Sequence, residues 1–148
     1  MNAEFYIIDD ALFPEKDLSW ADPPDPDAIA LRIRSGGAPW GATRTSIEAF
    51  ADTFEILERH AKAPDFLRNM AFAGSPRLVL TEVSGPWRMG YFEASLSTAL
   101  LGVIDEDFDK IAEEMAQKGE GATAVFDAFH LTLQEANARG RAVAILHS

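Results

Sequence analysis

The stretch GGAPWGAT, residues 36–43, has residue types that can hold a phosphate. Gly36, Gly41 and Thr43 fall on the glycine and hydroxyl positions of G-x-x-x-x-G-K-[ST]. Ala42 stands where that loop needs its lysine, and Pro39 and Trp40 interrupt a regular amide cradle. Nucleotide hydrolysis is therefore not expected, although "LLGVID" ends at Asp105 as a magnesium-binding segment would. A simpler anion site remains. It uses Arg34, Gly36, Gly37, Thr43 and Arg44, with Arg32 nearby, beside a helix start near Thr45 whose free amides favour anions. The competing role for these arginines is ordinary surface pairing with Asp22, Asp25 or Asp27.

A second stretch, DEDFD, puts Asp105, Asp107 and Asp109 at positions 1, 3 and 5 of a calcium loop. Lys110 replaces the required glycine and Ala116 the bidentate glutamate, so the acids read better as a helix start, with Asp105 as the cap. The histidines, His60, His130 and His147, have no metal-ligand spacing. Asp127 lies one turn before His130 and suggests a local acid–imidazole pair. Ser84 lacks a nucleophile elbow, so no catalytic residue and no cofactor is assigned. SGPWRMGYF, residues 84–92, gathers Trp87, Arg88, Met89, Tyr91 and Phe92, and Trp, Tyr and Arg are the types that dominate binding hot spots. Trp20, in SWADPPDPDAI, either folds onto the core or meets a partner.

These residues must be held by elements. Residues 3–9 are β-rich and residues 10–25 are proline-broken. Asp25, Pro26 and Asp27 announce a helix over 26–35 that Gly36 stops, although the alternation of Ile29, Leu31 and Ile33 also fits a strand. Residues 45–62 predict a helix, with Thr45 and Glu48 as a capping box and a stripe of Ile47, Phe50, Phe54, Leu57 and Ala61. A helix over 64–73, a strand over 77–83 and its hairpin partner over 88–94 follow. Residues 95–103 are ambiguous in period and are assigned to helix. Residues 105–118 predict a helix with Phe108, Ile111, Ala112 and Met115 inward. Residues 123–139 predict another, stopped by Gly140, before a last strand over 141–147. The order implies one α+β domain over 1–148, with a small, mostly antiparallel sheet covered by helices.

Composition narrows the function. The chain has 148 residues and no cysteine, which removes disulfides and thiolate chemistry and fits a reducing compartment. No secretory leader or spanning segment is read, so the expectation is a cytoplasmic protein off the membrane. Residues 1–40 hold eight acids and three bases, and residues 105–120 hold seven and two. Each stretch carries −5 of the net −11, which repels nucleic acid and attracts a basic partner. The expectation is a non-catalytic acidic module, inhibitor-like, immunity-like or an adaptor, that binds a basic or neutral protein. Its contacts would be Trp20, Trp87, Arg88, Asp105, Asp107, Asp109 and Glu113. The alternative is a small-molecule binder or cofactor-free enzyme holding an anion at residues 34–45.

Overall fold

The computed structural model describes residues 2–12, 26–62 and 88–147. Trp20, Trp87, the helix expected over 64–73 and the strand expected over 77–83 lie outside the described residues.

Four strands form one open antiparallel sheet in the order β2-β1-β4-β3. They are β1 (Asn2–Ile8), β2 (Ala38–Arg44), β3 (Arg88–Phe92) and β4 (Ala142–His147). The helices are α1 (Pro26–Gly36), α2 (Ile47–Ala61), α3 (Ala94–Glu106), α4 (Phe108–Lys118) and α5 (Glu120–Arg139). The fold is α+β. Among the described residues, no helix is long and apolar enough to cross a membrane.

Strand periodicity sorts the core into two layers. Ala3, Phe5 and Ile7 of β1, with Phe92, Val143 and Ile145, meet the apolar stripes of α2 to α5. At its centre Phe129 lies 5.0 Å from Phe54, 5.2 Å from Phe92 and 6.0 Å from Phe5. Tyr6, Ile8, Tyr91 and Leu146 face the other way, in a layer with Ile29, Ala30 and Ile33 of α1. Both faces of β1 and β4 are therefore apolar, and β4 is buried along its whole length.

The ambiguity at residues 26–35 resolves to helix. The helical turn buries Ile29, Ala30 and Ile33 and leaves Leu31 65% exposed, whereas a strand would put all three odd residues on one face. Gly37 then turns the chain into β2. A Cβ there would lie 2.7 Å from the Ile33 carbonyl oxygen and 3.3 Å from Tyr6 Cβ.

Four local expectations change. Residues 38–44 are an edge strand rather than a glycine-rich loop. Trp40 forms a bulge between the pairs Phe5–Gly41 and Tyr6–Pro39, and Gly41 lets the strand run close to Ala128 and Thr132 of α5. The cap of α2 is Ser46, whose hydroxyl accepts the Ala49 N–H at 3.1 Å, so Thr45 stands one residue too early. Strand β3 ends at Phe92 because the Glu93 carbonyl accepts the Ser97 N–H at 2.8 Å, within the first turn of α3. The helix expected to start at Asp105 starts at Phe108, because α3 continues to Glu106 on the strength of Leu100, Leu101 and Ile104, all buried. At the other end of the bundle α5 begins at Glu120. Gly121 allows this, since a Cβ there would come within 2.9 Å of Ala49 Cβ.

Candidate functional site

The break between α3 and α4 falls at Asp107, with φ −112° and ψ 23°. Three aspartates, three glutamates and a phenylalanine surround it, and two histidines from other helices hold it. His60, near the end of α2, faces Asp107 Oδ2 with Nδ1 at 3.1 Å and Glu114 Oε2 with Nε2 at 2.9 Å. Arg59 approaches the same Glu114 oxygen at 3.8 Å. His130, on α5, faces Asp105 Oδ1 with Nε2 at 3.2 Å. Its ring stacks on Phe126 at 5.7 Å and leans on Phe108 at 5.2 Å. That stacking turns the imidazole toward α3, so the pair is with Asp105 rather than with Asp127 one turn away.

This arrangement ties α2, α3, α4 and α5 together. Each nitrogen of His60 already meets a carboxylate, so neither is presented to a substrate. Among the described residues, no group of three His, Asp or Glu side chains is arranged to hold a metal ion. Asp105, Asp107 and Asp109, the three acids of the calcium-loop pattern, diverge because two answer to different histidines.

The histidines leave part of the charge open. Glu106, Asp109 and Glu113 are exposed, and no ion pair among the described residues involves them. Phe108, expected to face inward, is 39% exposed while its ring still leans on Phe126 at 5.9 Å. It opens the first turn of α4, just after the break, and only Phe126 and His130 of α5 lean on its ring among the described residues. The site is thus an acidic shoulder with an aromatic ring in it. His60 and His130 were not among the expected contacts, since their partners lie far away in sequence and leave no local pattern.

The other expected residues are dispersed. Arg88 is the first residue of β3 and stands opposite His147 of β4. Arg34, in the last turn of α1, lies 3.8 Å from Glu4. Glu4 also accepts the Tyr6 hydroxyl at 2.6 Å. Burial first, and then this carboxylate, raise the Tyr6 phenol above its ordinary value. Gly36 ends α1 and Gly37 precedes β2, whereas Thr43 and Arg44 lie at the far end of β2, opposite Ala3 and Asn2. Seven extended residues span about 20 Å, so the structure does not gather these groups into one pocket.

Comparison of the chain with protein-family models, with curated proteins and with solved structures found no match.

Proposed function

We propose that this chain is a non-catalytic protein-binding module whose contact surface is the acidic shoulder at the α3–α4 break. The observation that carries the reading is Phe108, a large ring left 39% exposed beside carboxylates that have no ion-pair partner among the described residues. Aromatic anchors within a polar rim are the usual anatomy of a protein interface. Glu106, Asp109 and Glu113 supply the rim, and the net charge of −11 favours a partner with a basic or neutral face. The histidine bridges through Asp105 and Asp107 keep the shoulder in one shape, which lowers the entropy lost on docking. A role as an inhibitor, immunity protein or adaptor in the cytoplasm fits this surface.

The test is affinity capture from the native lysate at low and high salt, with wild type beside Asp109→Lys/Glu113→Lys and Phe108→Ser. Glu55→Lys, a charge reversal on the exposed side of α2, is the control. A partner retained by wild type and the control, but lost by both shoulder variants, supports the reading. Equal capture by all four proteins overturns it.

A further inference from the structure

The turn from α5 into β4 reads Arg139-Gly140-Arg141. Gly140 takes the left-handed conformation, φ 64°, and the Arg141 N–H closes the helix on the Ala136 carbonyl at 2.8 Å. This reversal brings both guanidinium groups to one cleft of about 520 Å³. Ile7 and Ile8 at the end of β1, Asp9 after it, Gly36 at the end of α1 and Ala38 at the start of β2 form its other walls. The wall at Gly36 stays low because a Cβ there would come within 2.7 Å of Leu12 Cδ2.

The two arginines are held differently. Arg139 donates from Nε to Glu135 Oε1 at 2.9 Å, and its guanidinium lies 4.9 Å from the centre of the Trp40 ring. These contacts hold the group over the ring through Nε and Cζ, yet no hydrogen bond among the described residues uses its Nη atoms. Arg141 pairs through Nη1 with Asp9. The Ala11 N–H, and then Arg141, hold the Asp9 carboxyl below the usual aspartate range. Two guanidiniums and one carboxylate thus line the cleft, and Glu135, outside the lining, pairs with Arg139, on a chain whose net charge is −11. Cations complement the end of α5, and that accounts for their presence there. It does not account for a guanidinium set over an indole face whose Nη donors have no hydrogen bond among the described residues. That geometry matches a planar or tetrahedral oxyanion, which accepts two parallel N–H bonds.

We infer that this cleft is a binding site for a small oxyanion, a phosphate or carboxylate group, held by the Nη donors of Arg139 and the remaining donors of Arg141. The site lies away from the shoulder: His130 and Arg139 are nine residues apart on α5, about 14 Å along its axis. It also differs from the loop expected from sequence, sharing Gly36 with it but neither of its arginines.

Titration calorimetry of the full chain at low salt tests this, with inorganic phosphate in one arm and acetate in the other. Saturable binding in either arm is expected, and the arm that binds identifies the group recognised. Arg139→Gln should weaken it about tenfold or more, the loss of a charge-assisted pair. Trp40→Leu should weaken it without changing the charge, because the guanidinium loses its platform. Arg59→Gln should leave it unchanged. Urea unfolding of each variant confirms that it is folded. No saturable binding in either arm overturns the inference, as does binding that Arg139→Gln leaves intact or that Arg59→Gln weakens equally.

Discussion

Removing one carboxylate should unseat a helix that begins 84 residues away. Asp10 stands in the single turn after β1. Its Oδ1 accepts the Tyr91 hydroxyl at 2.5 Å and its Oδ2 accepts the Ala94 N–H at 3.1 Å. Ala94 is the first residue of α3, and Glu93 before it makes no side-chain cap bond. Asp10 is therefore the cap of α3, supplied from another part of the chain. A hydrogen bond to a charged group contributes about 1.5–3 kcal/mol, and loss of a cap costs about 1 kcal/mol. Asp10 is only half-buried, which favours the lower figures. Asp10→Ala should then cost about 2–3 kcal/mol, and Tyr91→Phe about 1 kcal/mol. Urea unfolding of both single variants and the double variant gives the coupling, expected near 1 kcal/mol. Hydrogen exchange should show the first-turn amides of α3 losing protection in Asp10→Ala alone. A cost below about 0.5 kcal/mol, the range of ordinary surface changes, or strict additivity with Tyr91→Phe, would refute the reasoning.

The glycines of the helical layer should behave oppositely under one substitution. Gly102→Ala meets nothing within 4 Å and should stabilise by about 0.5–1 kcal/mol through helix propensity. Gly121→Ala presses on Ala49 and should destabilise by about 1–2 kcal/mol, with partial rescue by Ala49→Gly, both read from urea midpoints. Asp9 has a lowered folded value, so its contribution is complete above the ordinary aspartate range and lost as pH falls through the folded value. Acid titration of stability should show a fall in that window that Asp9→Asn or Arg141→Gln flattens. Leu31→Lys should leave stability within about 0.5 kcal/mol, since the side chain is mostly in solvent, and a core-sized loss in thermal unfolding would contradict the helical assignment of residues 26–36.

Much of the helical layer was legible beforehand. The stripes of α2 and α5 repeat at the helical period over enough residues to specify both type and buried face. Proline and glycine marked the ends of α1 and α5 through backbone constraints that act locally. The same holds for β1 and β4, where β-rich residues sit between clear breaks. The full acidic balance was equally plain, because net charge needs no coordinates. These features depend on neighbours within about one or two turns, and the sequence alone determined them.

What required the tertiary structure depends on distant partners. Strand β2 has no apolar alternation to announce it, because an edge strand buries little. The break at Asp107 arises where two helical stripes meet, each continuous by itself. Its exposed ring and open carboxylates follow from which acids His60 and His130 occupy. Arg139 and Trp40 are 99 residues apart by chain and meet only when β2 pairs with β1 beneath α5. Periodicity selects the face a residue turns inward, but packing of one element on another decides which polar groups find partners and which remain open to a ligand.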